Sequence, residues 1–287
     1  MMHAAEVAER LNLKRYRQSW RGRCPCCDYA ANTFWIRAGT EGRALLFCAN
    51  GCTREELTEA VARATGLQQA VQRGEEDDAA RRGRNRERGL ALWSGSESAV
   101  GTLADHYLTA RGLPGLAASS ALRFRGDTPH PEGGRTPAMI ALITDVVGAP
   151  LGVHRTYLGR DGRKALVKPA KASLGPVWGG AIRLDPLKPH VALVIGEGIE
   201  TSASAGCLMG FPAWAAVSAG NLAKGLVLPP EVRRVVIAAD PDAAGRDAAR
   251  EGWLRWKAEG REVQIASPDR ESSDFNDLLL AREGRCG

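Results

Sequence analysis

The stretch from Val232 to Ala249 constrains the fold more than any other part of the chain. Val235 to Ala239 is a short apolar run rich in β-branched residues, the pattern of a strand buried on both faces of a parallel sheet. The run stops at Asp240-Pro241-Asp242, and Gly245 with its neighbouring alanines opens a helix. Ligands of open α/β sheets gather beyond the carboxyl ends of the strands, so both carboxylates project into such a crevice. Two hard oxygen donors one residue apart suit Mg²⁺, which leaves its other positions to water and phosphate oxygens. The same Asp-Pro-Asp would serve equally as a helix N-cap, and taken alone the stretch does not separate the two roles.

Two further stretches repeat the design. His190 to Thr201 holds an apolar strand, then Glu197 between Gly196 and Gly198, then a helix. Glycines on either side of Glu197 let the backbone turn sharply and let a ligand approach. A third acidic site, Asp274 to Asp277, starts a helix after the strand expected over Arg261 to Ala266. One shared metal site accounts for all three better than three unrelated helix caps do.

Glu197 at one strand end, Asp240 and Asp242 at the next and a later acidic site resemble the toprim domain of DNA primases, topoisomerases and some nucleases. Ala239 to Ala249 and Ser273 to Leu279 are similar to the primase-type toprim sequences of phages, plasmids and other mobile elements. The resemblance implies a DNA primase that makes short primers from nucleoside triphosphates on a single-stranded DNA template. It implies Mg²⁺ or Mn²⁺ on Asp240 and Asp242, with Asp274 or Asp277 assisting, and Glu197 as proton handler or ligand of a second metal ion. A toprim nuclease uses the same acidic trio, and a non-catalytic single-stranded DNA-binding factor is the alternative outside enzymes. A topoisomerase is disfavoured, because 287 residues leave no room for large DNA-gate domains. The family often carries an acid one helical turn after the first glutamate; here that place is Thr201, with Glu200 one position early.

Near the N-terminus, Cys24, Cys26 and Cys27 and then Cys48 and Cys52 bracket two apolar runs, Phe34 to Arg37 and Ala44 to Phe47, joined by a polar turn at Gly39 to Gly42. Cysteine pairs around a β-hairpin are the layout of a zinc ribbon, and five of the seven cysteines fall in this one segment. Cys24, Cys27, Cys48 and Cys52 are the expected Zn²⁺ ligands, with Gly51 bending the second knuckle; spacing leaves a pairing through Cys26 open. Four protein thiolates leave no open coordination position, so the zinc is structural. Arg54 to Thr65 reads as an amphipathic helix, with Thr53 as cap and Glu56 at the capping-box position. A zinc ribbon followed by such a helix resembles the zinc-binding domain of primases. That resemblance makes Arg21, Arg23, Phe34, Trp35 and Arg37 candidate contacts to template DNA, with Trp35 able to stack on any base.

The remaining sequence joins these ends. The expected architecture is α/β: a zinc-ribbon DNA-binding domain (1–70), a charged linker (71–89), a mixed-sheet N-terminal subdomain of a primase core (90–189) and a toprim domain with a mainly parallel sheet flanked by helices (190–287). Leu90 to Leu113 reads as helical; Ala121 to Arg125, Ala138 to Thr144, Leu151 to Leu158 and Lys164 to Lys168 read as strands. Resemblance of this block to the N-terminal subdomain of primase cores implies Arg155, Lys168 and Lys171 as nucleotide or DNA contacts, while His154 reads as a sheet residue. The net charge of +6 fits a nucleic-acid partner. No apolar run spans a bilayer and Met1 to Glu9 lacks the apolar core of a signal peptide, so the expectation is a cytoplasmic protein with reduced thiols and no membrane partner. No Gly-rich loop ending in Gly-Lys-Ser or Gly-Lys-Thr is present, so any unwinding partner, such as a replicative helicase, is expected to be a separate protein.

Overall fold

The computed structural model describes residues 3–28, 33–39, 42–50, 52–67, 75–268 and 273–283, and the chain divides into two compact units, 1–77 and 78–287. Gly51 and Cys286 lie outside the described residues. In the first unit a helix α1 (Ala4–Arg10) precedes strands β1 (Lys14–Tyr16), β2 (Ser19–Gly22), β3 (Phe34–Ala38) and β4 (Ala44–Cys48), which form an antiparallel sheet in that order; α2 (Arg54–Thr65) follows. Strand alternation gives this sheet two distinct faces. Phe34 and Ile36 are fully buried and meet Val7, Leu57 and Val61 of the two helices. Trp35 and Arg37 therefore point the other way. The first turn of α2 carries the expected capping box: Glu56 N–H donates to Thr53 Oγ1, and Thr53 N–H donates to the Glu56 carboxylate.

Helix α3 (Glu75–Ser94) runs through the segment expected as a linker. Arg82, Arg84 and Arg88 are exposed and Arg86 donates to the Pro150 carbonyl, while Leu92 is buried and Trp93 half-buried against the sheet that follows. Gly89 permits that close approach, since a Cβ there would stand 2.5 Å from the Leu174 carbonyl oxygen. After α3 come β5 (Glu97–Ser98), α4 (Leu103–Thr109), β6 (Leu122–Pro129), β7 (Arg135–Thr144), β8 (Pro150–Tyr157) and β9 (Lys171–Leu174). Two expectations change here. The helix read across Leu90 to Leu113 is interrupted by β5, and the strand read at Lys164 to Lys168 falls instead at Lys171–Leu174. Lys164 makes one isolated bridge to Leu158, and Pro169, which has no N–H to give a ladder, separates that segment from β9. The sheet runs β5-β6-β7-β8-β9 with all pairs antiparallel rather than mixed.

The remaining elements are β10 (Ile182–Arg183), β11 (Leu193–Gly196), α5 (Ile199–Met209), β12 (Ala213–Ala215), a π-helical turn (Asn221–Gly225), β13 (Arg234–Ala238), α6 (Ala243–Ala258), β14 (Glu262–Ala266) and α7 (Phe275–Glu283). Their sheet is ordered β10-β12-β11-β13-β14, with β10 antiparallel and the other four strands parallel. The chain leaves β11 for β12 on one side and returns to β13 on the other. Strand order thus reverses between β11 and β13, and that reversal opens a crevice beyond their carboxyl ends. The antiparallel and parallel sheets share a core, in which Tyr107, Met139 and Leu158 join Ile199, Ala203 and Leu279. No helix among the described residues is long and apolar enough to cross a membrane.

Buried Asn221 ties the loop after β12 to the approach to β10. Its Nδ2 donates to the Gly180 and Ala216 carbonyls, each at 2.8 Å, and its Oδ1 accepts from Gly179 N–H at 2.9 Å. Removing this amide strands three backbone groups, so Asn221→Ala should lower unfolding free energy by about 2–4 kcal/mol in urea denaturation. A loss under about 0.5 kcal/mol would show that the loop is held by other contacts.

Candidate functional site

The two cysteine pairs meet at the end of the β3–β4 hairpin. Cys24, Cys27, Cys48 and Cys52 have sulfur atoms all within 4.8 Å of one another, with Cys24 to Cys52 at 3.9 Å and Cys27 to Cys48 at 3.8 Å. A tetrahedral zinc with Zn–S bonds near 2.3 Å has S–S edges of about 3.8 Å, so the cluster matches the size of a tetrathiolate metal site. Asn50 N–H points at Cys48 Sγ and its side-chain amide at Cys27 Sγ, donors that favour charged sulfur. Cys26 joins a separate group with Cys52 and Glu56.

The acidic residues lie where the parallel sheet reverses. Gly196 pairs with Ala238 across β11 and β13, which puts Glu197 beside Ala239 and Asp240 one residue beyond. Val217 N–H donates to the Glu197 carbonyl, and Val217 adopts φ of 72°, a strained conformation for a β-branched residue. This kink leads to Ala219, whose backbone N–H favours the charged form of Glu197. Burial, followed by repulsion from Asp240 and Asp242, pushes Glu197 up to about 7. Asp240 is raised as well, chiefly by burial, against the pull of a 3.0 Å hydrogen bond from Thr201 Oγ1. A Cβ on Gly245 would stand 2.7 Å from Asp240 Cβ, so only glycine lets the first turn of α6 lie on this carboxylate.

The other acids divide between capping and the crevice. Asp242 caps α6, its Oδ1 accepting from Gly245 N–H at 2.7 Å. Asp274 and Asp277 cap α7 reciprocally, each carboxylate accepting the other's backbone N–H. Asp274 is close enough to Asp240 to raise it, while Asp277 is exposed. Among the described residues, the groups of three or more ligand atoms within 4.8 Å of one another are cysteine-based, so the carboxylates are more widely spaced.

Cations come from the antiparallel sheet. Lys171 Nζ lies 2.8 Å from Glu200 Oε2 and Lys164 Nζ 3.5 Å from Glu200 Oε1, and the Tyr107 hydroxyl donates to Glu200 Oε1. Glu200 is 7% exposed, yet the two ammonium groups outweigh its burial and hold it below the usual carboxylate range. Lys171 also draws Glu197 and Asp240 toward their charged forms, which sets it facing the crevice. His154 bonds Ser173 Oγ at 3.0 Å, and burial with the nearby Lys171 pushes it down to about 3, so it is a neutral sheet residue.

Two expected contacts fall elsewhere. Thr156 pairs with Lys171 and His154 with Ser173, so these share one face, whereas Arg155 pairs with Ala172 and belongs to the opposite face. Arg155 is 6% exposed and donates to the Pro129, Ala172 and Ser173 carbonyls; it ties the sheet together and does not face the crevice. Lys168 is exposed, and the pair on Glu200 is Lys164 with Lys171. In the first unit, Trp35 stacks on Phe47 at 5.7 Å with Arg21 nearby, and Arg37 is exposed on the same side. Phe34 is core, and Arg23 is engaged by Asp28 through two donors.

Comparison with known proteins agrees with the motifs in the C-terminal segment. Residues 192–285 match the family described as Toprim domain, and residues 83–184 match a Domain of unknown function (DUF7146). The matched residues 192–285 hold the four parallel strands and the acidic crevice, and they follow the antiparallel sheet. No curated protein matches it. Among solved structures it is similar to a DnaG catalytic core (18% identity, 70% of this chain and 79% of that one, TM-score 0.49). It is similar to the zinc-binding and RNA polymerase domains of Aquifex aeolicus primase (15%, 99% and 82%, TM-score 0.46). It is similar also to the primase fragment of the bacteriophage T7 primase-helicase protein (15%, 92% and 96%, TM-score 0.45).

Two outcomes follow from this geometry. In protein supplied with Zn²⁺, Cys27→Ser should fail to retain the metal while Cys26→Ser retains it, as read by native mass spectrometry; the reverse pattern would move the site to Cys26. Glu197 holds its proton more tightly folded than unfolded, so its stabilising contribution is present below about pH 4.5 and lost as pH rises through about 7. In magnesium-free buffer Glu197→Gln should therefore exceed wild type in stability at pH 8 by on the order of 1–2 kcal/mol, with little difference at pH 4. Equal urea midpoints at pH 8 would contradict the buried, repelled carboxylate.

Proposed function

We propose that the chain is a DNA primase, a nucleotidyltransferase that extends short primers from nucleoside triphosphates on single-stranded DNA. The observation that carries this reading is the pairing of raised acids with lysines across one crevice: Glu197 and Asp240 repel each other at the strand-order reversal, and Lys171 faces them from the next sheet. Carboxylates forced together have raised affinity for cations, and ammonium groups opposite them suit a polyphosphate.

Asp240 and Asp242 would hold Mg²⁺ or Mn²⁺, with Asp274 nearby; capping occupies one oxygen of Asp242 and leaves the other. A divalent ion bound there supplies charge neutralisation for the phosphate oxygens. Lys171 binds the phosphate chain of the incoming triphosphate. Glu197, raised to about 7, is poised near neutrality to take the proton of the attacking 3′-hydroxyl. In the N-terminal unit the cysteines would hold structural Zn²⁺, and the open sheet face with Arg21, Trp35, Arg37 and Phe47 would bind template by stacking and phosphate contacts. The primase-type sequence pattern around Asp240 and Asp274 further suggests a phage, plasmid or other mobile element as the source of the template. A replicative helicase is a candidate partner.

Labelled single-stranded DNA incubated with Mg²⁺ and nucleoside triphosphates tests this reading. New product that lengthens with template present is expected, and Asp240→Asn or Asp242→Asn should cut its rate about 100-fold or more while the fold persists. Shortening of the DNA in place of synthesis would assign the site to a nuclease, and tight DNA binding with neither reaction would leave an accessory factor.

A further inference from the structure

The helix after Glu197 presents two neighbouring residues to two different jobs. Thr201 turns to the metal crevice and bonds Asp240. Glu200 turns to the antiparallel sheet, where Tyr107 of α4, Lys164 after β8 and Lys171 of β9 all meet its carboxylate. A carboxylate accepts roughly four hydrogen bonds, and three of those places are taken on the lysine side. Two ammonium groups on one carboxylate leave one positive charge in excess beside the crevice. That charge sits close to the acids, because a Cβ built on Gly198, the residue after Glu197, would lie 3.9 Å from Lys171 Nζ.

Lysine side chains are long and lose much rotamer freedom when they bind a ligand. Holding them in place beforehand removes that cost from the binding step. Glu200 is suited to this because it is buried, doubly paired and fixed by a tyrosine hydroxyl whose ring is itself core. We propose that Glu200 is a positioning residue: it fixes Lys171 and Lys164 as a pair of phosphate-binding cations beside the crevice, and does not itself hold the metal ion. The proposal rests on the reading of the crevice as a metal and triphosphate site, and it explains why a glutamate stands one position before the helix place where an acid would face the metal.

Calorimetric titration of the whole chain with Mg²⁺-ATP and with Mg²⁺-inorganic triphosphate, without template, tests it. Glu200→Gln should weaken both by about tenfold or more, the loss of charge-assisted placement of two lysines, while Mn²⁺ affinity stays within about twofold. Where primer synthesis is measured, KM for triphosphate should rise by the same factor with kcat within about threefold, and Glu200→Asp should recover part of the loss. If Glu200→Gln does not fold, Tyr107→Phe decides, with an expected two- to threefold weakening of triphosphate binding. Triphosphate binding equal to wild type in the folded variant overturns the proposal. So does a matching loss of Mn²⁺, which would make Glu200 a metal ligand, and so does a wild type that binds no triphosphate. Wild type that binds triphosphate but makes no primer would sink the polymerase reading alone; normal priming kinetics in Glu200→Gln would sink this one alone.

Discussion

Like charges held together out of water organise the C-terminal half of this protein. Glu197 and Asp240 stand on adjacent strand ends, partly buried, with Asp242 and Asp274 adding to the repulsion. Such an arrangement costs stability whenever the crevice lacks a cation, and the surrounding structure must be rigid enough to hold it. The strained Val217 turn, the glycine at 245 and the buried Asn221 all serve that rigidity. The N-terminal unit applies the same principle with sulfur, four cysteines brought to within a metal's reach by a hairpin. Soft sulfur in one unit and hard oxygen in the other suit different metals.

The antiparallel sheet supplies the opposite charge, and strand parity decides which of its residues can. Lys171 and His154 share the face toward the crevice, while Arg155, between His154 and Thr156 on β8, is turned into the other layer and spent on carbonyls. Glu200 then links the sheets by a buried ion pair. A buried pair of this kind adds little net stability, since desolvation offsets the attraction, so its value lies in geometry.

Features coded by neighbouring residues could be read from the chain itself. The apolar run ending at Asp240, the glycines around Glu197, the spacing of the four cysteines and the Thr53 capping box all depend on residues a few positions apart. Of the two roles weighed for the acids, capping is the one their hydrogen bonds show, and a carboxylate that caps a helix with one oxygen keeps another for a ligand. What the sequence concealed depends on long-range pairing. The register that separates Arg155 from Lys171 is set across strands, and Tyr107 reaches Glu200 over 93 residues of chain. Glu200 was visible only as an acid one position off the expected helix place and Lys164 only as one of several nearby lysines, and their pairing was not. Helix α3 was legible only in part: a charged linker can be flexible or partly helical, and the packing of Leu92 on the sheet shows its C-terminal end to be a fixed helix.

If Asp240 and Asp242 hold a divalent cation as proposed, electron paramagnetic resonance of added Mn²⁺ measures it most directly, because bound ion loses the sharp signal of the free one. Wild type with its cysteine site filled should take up Mn²⁺ at the crevice, and Asp240→Asn or Asp242→Asn should each weaken that uptake about tenfold or more. Uptake unchanged in both variants would mean that the acids are helix caps and buried bystanders, and the account of the crevice would fail.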